Sequence, residues 1–118
     1  MTDSFKDYDP AALPAPVVTY LDAHDEHRHA DALAVFAPDA TVRDEGNTYE
    51  GIEAIGAWME KSSSAYTYTS TRIGQRVIDD SRVVVRARLD GNFPGGTATL
   101  RFQFDVLSGL IARMVIEV

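Results

Sequence analysis

All three histidines of the chain lie within one six-residue segment, HDEHRH, between His24 and His29. Histidine and carboxylate side chains bind metals, and on a helix His24 and His27 would share a face, with Asp31 available as a third ligand. The segment lacks HExxH-type spacing, and it lies where a helix should end, a place where histidine complements the helix dipole. We therefore interpret it as a solvated helix end, and we predict no metal site and no cofactor.

Tyr20 lies four residues before His24, so on a helix both side chains would share one face. The helix itself is predicted from the 3, 4 spacing of its inward positions, which are Leu13, Val17, Tyr20, Leu21 and His24. His24 is then a core histidine, a hydrogen-bond partner of Tyr20 or a residue that lines a pocket. The spacing alone leaves these three roles open.

Asp44 belongs to the segment TVRDE, which has the pattern of a short strand. Alternation along a strand places Val42 and Asp44 on one face and Arg43 on the other. If Val42 packs into the core, Asp44 also points inward, where a carboxylate in an apolar site can serve as a general base near neutral pH. Alternatively, Asp44 begins the turn at 45–47 and caps its N–H groups. These residues favour neither interpretation over the other.

Several aromatic side chains are placed so that they could line a cavity between helices and sheet, namely Tyr20, Trp58, Tyr66, Tyr68, Phe102 and Phe104. Aromatic residues more often fill a core, with each tyrosine hydroxyl bonded to a partner. A ligand pocket needs the same mixture of large apolar and few polar groups. The sequence is compatible with both.

The hydrophobic periodicity changes from 3.6 to 2 along the chain, which predicts helices first and strands later. We expect a helix over 13–24, a second over 31–36, and a third that starts near Ile52 and closes at the serines 62–64. A short strand ending at Asp44 and a turn at 45–47 followed by a loop separate the second and third helices. Four long antiparallel strands follow, which together predicts an α+β fold with helices on one face of a curved sheet.

The composition restricts the function classes. The 118 residues predict one domain, 1–118, in which residues 1–10 form a loose leader. There is no cysteine, which excludes disulfides, zinc-thiolate sites and cysteine nucleophiles, and a net charge of −7 disfavours binding to nucleic acids and anionic membranes. No apolar run approaches the roughly 20 residues that span a bilayer. We expect a soluble cytoplasmic protein that binds something small or another protein.

Two groups of motifs carry a resemblance to a known family. The segments YLDAHD, HADALAVFAPDATVRDEG and YEGIEAIGAWM, followed by RLDGNFPGG and LRFQFDVLSGLIARMVIEV, resemble the SnoaL-like branch of the nuclear transport factor 2-like (NTF2-like) superfamily. The resemblance implies a cystatin-like cone, in which a strongly curved, mostly antiparallel sheet wraps around N-terminal helices and leaves an open pocket. It also implies a homodimer through the outer face of the sheet. Ketosteroid isomerase and polyketide cyclases belong to this superfamily.

The resemblance to ketosteroid isomerase extends to two of its three catalytic positions. That enzyme uses an aspartate base together with a tyrosine and a protonated aspartate, which donate hydrogen bonds to the developing oxyanion. Tyr20 matches the tyrosine and Asp44 matches the base, at a spacing that needs no gap. The second donor falls near Leu100, which cannot donate, and a supporting tyrosine of some isomerases falls near Met59. His24 is a candidate for the missing donor.

Together these observations predict a pocket for a small hydrophobic carbonyl compound, with no nucleic-acid or membrane partner. Asp44 would abstract a proton next to the carbonyl, and Tyr20 would hydrogen-bond the enolate oxygen, as in isomerisation, cyclisation or dehydration. The remaining lining is expected from Trp58, Tyr66, Tyr68, Leu100, Phe102 and Phe104. The alternative is a non-catalytic module for ligand binding or dimerisation. Apolar residues on both faces of the last strand, Ile111 and Val115 opposite Met114, favour a dimer.

Overall fold

The computed structural model describes residues 5–65 and 67–118. A short 3-10 turn, Pro10–Ala12, precedes the helices α1 (Ala15–Asp25), α2 (His29–Leu33) and α3 (Ile52–Ala65). The strands are β1 (Phe36–Asp44), β2 (Asn47–Glu50), β3 (Tyr68–Val77), β4 (Arg82–Gly91), β5 (Thr97–Leu107) and β6 (Leu110–Glu117). None of the helices in these residues is long and apolar enough to cross a membrane.

The six strands form one sheet in the order β2-β1-β6-β5-β4-β3. Neighbouring strands are antiparallel except β1 and β6, which are parallel. The predicted α+β fold, with helices packed in a curved and mostly antiparallel sheet, is confirmed. Because β1 pairs with the last strand on one side and with β2 on the other, the early segment that carries Asp44 is an inner strand rather than an edge strand.

The core lies between the helices and the inner face of the sheet. Alternate residues of the strands are buried there, including Val42, Val83, Val85, Phe104 and Met114. On the helical side, α1 buries Val17, Tyr20, Leu21 and Ala23, and α3 buries Ile55, Trp58 and Met59. Removal of these apolar surfaces from water is the main favourable contribution to folding.

The prediction of a second helix over 31–36 is wrong at its end. The helix α2 stops at Leu33, and Phe36 instead begins β1, where it pairs with Ile111 of β6 and is buried. Pairing with a distant strand overrides the local helical pattern. Pro38 is accommodated inside β1 because the register with β6 shifts between Phe36 and Thr41, so no ladder hydrogen bond is needed there.

The segment after the turn at 45–47 is a strand, not a loop. Glu45 and Gly46 both have positive φ, 51° and 78°, as a two-residue hairpin turn requires, and β2 then pairs with β1. The serines 62–64 do not close α3 either. Each of their hydroxyls donates to a carbonyl three residues earlier, so the helix continues to Ala65.

The prediction that Ile111 lies on the outer face is wrong. Ile111 is fully buried like Met114, because the pairing of β5 with β6 shifts between Asp105 and Val106 and places both side chains inside. Val115 stays on the outer face, in a row with Gln103 and Val84 across three strands. Charged rows flank it on both sides, Arg82–Asp105–Arg113 and Arg86–Arg101–Glu117.

The segment before α1, predicted as a loose leader, is attached to β3 where it is described. The backbone of Lys6 exchanges two hydrogen bonds of 2.8 Å with that of Gln75. The Gln75 amide also accepts from the Asp9 N–H at 2.8 Å and donates to the Asp9 carbonyl at 3.0 Å. Gln75 is a buried polar residue, and Asp9 supplies the partners that its burial requires.

We expect Gln75→Leu to loosen this segment, because the variant removes both side-chain hydrogen bonds to Asp9. Trypsin should cleave faster after Lys6, and the free energy of unfolding should fall by about 1–3 kcal/mol, the usual cost of losing such buried partners. Mass spectrometry of a timed digest and urea denaturation measure the two effects. Gln103→Leu on the outer face is the matched control for the digest, and its cleavage after Lys6 should stay at the wild-type rate. Cleavage after Lys6 at the wild-type rate in Gln75→Leu would contradict the attachment.

Candidate functional site

The first component of the site is the carboxylate at the end of β1. Ala40 and Val42 are fully buried on the inner face, and alternation places Asp44 on that face beyond them. The indole Nε1 of Trp58 donates to Oδ2 of Asp44 at 3.1 Å. This bond fixes one carboxylate oxygen and thereby orients the carboxylate. Trp58, predicted only as an apolar wall, therefore also positions the candidate base.

The second component is Tyr20, in the middle of α1. Its ring is fully buried, with Phe36 and Phe104 edge-on at centroid distances of 5.5 and 5.9 Å. Its hydroxyl oxygen is buried and has no hydrogen-bond partner among the described residues. Burial, reinforced by nearby Tyr68 and Asp44, raises the pKa of Tyr20 well above its ordinary value. The hydroxyl therefore keeps its proton and is available as a hydrogen-bond donor.

The third component joins His24 of α1 to Tyr68 of β3. The His24 ring stacks on the Tyr20 ring at 5.6 Å, and its Nε2 lies 3.0 Å from the Tyr68 hydroxyl. Burial lowers the pKa of His24 below the ordinary value of 6.5, against the smaller opposing effect of Asp25. The imidazole is therefore neutral at neutral pH. The sequence left three roles open for His24. In the structure His24 lines a cavity, and its hydrogen-bond partner is Tyr68 rather than Tyr20.

These groups surround a cavity of about 720 Å³ that is open to solvent. Its lining includes most of the predicted site residues, which are Tyr20, His24, Asp44, Trp58, Tyr68, Leu100 and Phe102. Phe104, predicted as a wall, does not line the cavity: it is fully buried behind Phe102 and Tyr20. The predicted wall residue Tyr66 lies outside the described residues.

The remaining histidines do not assemble with His24. The helix α1 ends at Asp25, and His27 has a left-handed backbone with φ of 58°, so the helical face expected for His24 and His27 does not continue. The His27 side chain is exposed, whereas His24 faces the cavity. Within the part of the chain that the structure describes, no three histidine or carboxylate side chains are placed to hold a metal ion.

Arg72 is a site residue that the sequence analysis missed. It lies on the inner face of β3, and its guanidinium donates to Asp22 at 2.8 Å and to Asp25 at 2.9 Å. These ion pairs fasten the end of α1, and with it His24, to the strand that carries Tyr68. The sequence pattern that could have identified Arg72 is the alternation of Tyr68, Ser70 and Arg72 along the strand, which puts all three side chains on one face.

Comparison with known proteins agrees with this architecture. The sequence profile of the SnoaL-like domain matches residues 17–114. The chain belongs to the SnoaL-like family. No curated protein matches it significantly.

Several solved structures resemble this SnoaL-like chain. A candidate polyketide cyclase from Sinorhizobium meliloti is 34% identical, with a TM-score of 0.87 over 93% of this chain and 100% of that chain. A Mycobacterium tuberculosis protein in complex with estradiol-17β-hemisuccinate is 20% identical, with a TM-score of 0.73 over 87% and 90% of the two chains. A computationally designed 17-OHP binder is 17% identical, with a TM-score of 0.72 over 87% and 88%. The last two show a shared fold only.

The lowered pKa of His24 predicts a pH dependence of stability. Well above the ordinary histidine pKa of about 6.5, neither the folded nor the unfolded imidazole binds a proton. Below that value the unfolded chain takes up a proton that the folded chain does not, so the free energy of unfolding falls. In His24→Gln, which keeps a side-chain N–H, this part of the decline should disappear. Urea denaturation at about pH 7.5 and about pH 5.5 measures it. If the free energy of unfolding declines equally in the wild type and in His24→Gln, a buried, neutral His24 is contradicted.

Proposed function

We propose that this SnoaL-like protein binds a small hydrophobic carbonyl compound in the cavity and transfers a proton next to its carbonyl group. The observation that carries the proposal is the pairing of an oriented carboxylate with a protonated, partnerless hydroxyl around one cavity. Asp44 is held by Trp58, and Tyr20 has a buried hydroxyl with no partner among the described residues. General acid–base catalysis needs both groups within reach of one ligand.

The chemistry follows from the two groups. Asp44 accepts the proton as the C–H bond next to the carbonyl breaks, and the electron pair moves onto the carbonyl oxygen. Tyr20 donates a hydrogen bond to that oxygen, whose negative charge develops in the transition state. Return of the proton to another carbon gives isomerisation. Attack of the enolate on a second carbonyl, whose oxygen takes the proton back from Asp44, gives cyclisation. Loss of a β-hydroxyl group, which takes that proton and leaves as water, gives dehydration.

The ligand class is inferred from the lining and supported by relatives. Leu100 and Phe102 present apolar surface to the cavity, which suits a hydrophobic ligand with few polar groups. The relative from Sinorhizobium meliloti is a candidate polyketide cyclase. Of two more distant structures, one holds estradiol-17β-hemisuccinate and the other was designed to bind 17-OHP. Polycyclic and cyclic ketones are therefore the compounds to test first.

Asp44→Asn should strongly slow hydrogen–deuterium exchange next to the carbonyl, because an amide cannot accept the proton. We expect the exchange rate to fall roughly 100- to 10,000-fold, the usual contribution of a general base. NMR over a panel of cyclic and polycyclic ketones measures this exchange whatever the product of the reaction is.

Asp39→Asn is the matched control for this experiment. It removes a carboxylate from an exposed position of the same strand, and we expect it to exchange at the wild-type rate. Wild-type protein that exchanges no ketone, or Asp44→Asn that exchanges as fast as wild type, would count against Asp44 as the base.

The second candidate function is a binding module without catalysis. Leu100 occupies the position that the resemblance assigns to a second oxyanion donor, and loss of one such donor lowers a rate roughly 100- to 1,000-fold. A pure binder would hold ketones with equal affinity in wild type and Asp44→Asn and would exchange none of them. The exchange experiment, repeated with a calorimetric measurement of Kd, separates the two functions.

We also propose that two copies pair through the outer face of the sheet. The half-buried row Val84–Gln103–Val115 lies at its centre, and the flanking rows contain both arginines and carboxylates. On this face Oδ1 of Asp105 is buried without a hydrogen-bond partner among the described residues. An arginine of a second copy could supply that partner, and the charged rows of two copies can then complement each other.

This interface predicts a particle of twice the 13.0 kDa chain mass in light scattering at micromolar concentration. Val115→Asp places a charge at the centre of the interface and should shift the protein to the monomer, because the carboxylate would be buried without a partner. Thr69→Asp on the exposed edge strand β3 is the control and should remain dimeric. A wild-type mass of one chain would rule out the proposed interface.

A further inference from the structure

We propose that Tyr68, oriented by His24, donates a second hydrogen bond to the ligand oxygen that Tyr20 binds. This inference rests on the proposed function, since it assigns a further residue to the same cavity. In this proposal the Tyr68 hydroxyl takes the place of the second oxyanion donor, which Leu100 cannot supply.

The position of Tyr68 is the first argument. Tyr68 begins β3, directly opposite Gly91 of β4. A Cβ atom at residue 91 would collide with the Thr67 carbonyl and with Tyr68, so only glycine lets the two strands approach there. This contact holds the start of β3 against β4, with the Tyr68 side chain at the wall of the cavity.

The continuity of the three rings is the second argument. The rings of Tyr20 and His24 stack at 5.6 Å with an interplanar angle of 17°, and those of His24 and Tyr68 lie 6.5 Å apart. All three line the cavity. The two tyrosines are also close enough for Tyr68 to affect the ionisation of Tyr20. The two tyrosines therefore line the same part of the cavity, with the imidazole between their rings.

The direction of the His24–Tyr68 hydrogen bond is the third argument. The neutral imidazole carries one proton, and Nδ1 is buried with no partner among the described residues. A buried N–H without a partner is rarer in proteins than a buried acceptor without one. The favoured tautomer therefore has its proton on Nε2, which donates to the Tyr68 oxygen. The Tyr68 proton is then available to the ligand, and the donated bond polarises the hydroxyl and strengthens it as a donor.

Phenols of graded acidity test this donor pair, because a bound phenolate resembles the enolate in charge and shape. If Tyr20 and Tyr68 both donate to the ligand oxygen, the affinity of the wild type should rise as the phenol becomes more acidic. Tyr68→Phe should weaken phenolate binding roughly 10- to 100-fold and make the affinity less dependent on acidity, because it removes one charge-assisted hydrogen bond. Calorimetric titration at fixed pH measures both quantities.

His24 acts through Tyr68 in this proposal, so it is a positioning residue. His24→Phe should weaken phenolate binding in the same direction but less. The double variant with Tyr68→Phe should bind no more weakly than Tyr68→Phe alone, because both substitutions remove the same interaction. Additive losses would overturn the assigned role of His24.

Tyr8→Phe is the matched control, since it removes a tyrosine hydroxyl that accepts from Arg72 at 2.8 Å and lies outside the cavity lining. It should bind every phenol as the wild type does. If Tyr68 only holds β3 to α1, Tyr68→Phe will shift all phenols by one factor and leave the dependence on acidity unchanged, which overturns the proposal. Wild-type protein that binds no phenol also overturns it.

The same variants separate this inference from the proposed function. Ketone exchange that is lost in Asp44→Asn but unchanged in Tyr68→Phe refutes the second donor and leaves the proposed function standing. Phenolate binding that depends on Tyr68, in a wild-type protein that exchanges no ketone, supports the donor pair and refutes the proton transfer.

Discussion

The alternation of side chains along β1 is the constraint on which the site depends. Ala40 and Val42 must be buried to close the core, and the period of two then directs Asp44 inward as well. Burial of a carboxylate is unfavourable unless a donor satisfies it. Trp58 from α3 supplies that donor, and its ring in turn lies beside Tyr49 of β2, 6.0 Å away. Core packing thus fixes both the candidate base, Asp44, and the Trp58 indole that orients it.

The helix α1 obeys an equivalent constraint with a different period. Residues four apart share a face, so the packing of Val17 and Leu21 brings Tyr20 and His24 to the same side. Arg72 then fixes the end of the helix through its ion pairs with two aspartates of the last turn. Arg72 is only 14% exposed, so these pairs are better shielded from solvent than those on the outer face. These ion pairs therefore help to position the candidate donors of the site.

Periodicity predicted from the sequence which residues face inward, but not which of them meet. The inward placement of Asp44 and His24 and the α+β class follow from local spacing and from the motifs of the SnoaL-like family. The contacts of these two residues with Trp58 and Tyr68 join distant parts of the chain, and spacing within one element carries no information about them. Ile111 was placed wrongly for a similar reason, because a register shift changes the face of a strand midway and no binary pattern records that shift.

Under the proposed function, the polar end of the cavity contributes to ligand binding at the expense of folding stability. The Tyr20 hydroxyl and Nδ1 of His24 are buried with no partner among the described residues, and each such group costs about 1–3 kcal/mol. Folded proteins pair nearly all buried polar groups, so unpaired groups beside a cavity mark a place where a ligand completes the structure. Leu100 and Phe102 give the cavity apolar walls, which suit hydrophobic compounds as a class rather than one of them. Under the proposed function, selection falls to the Tyr20 hydroxyl, a donor without a partner among the described residues that can bond to a ligand oxygen.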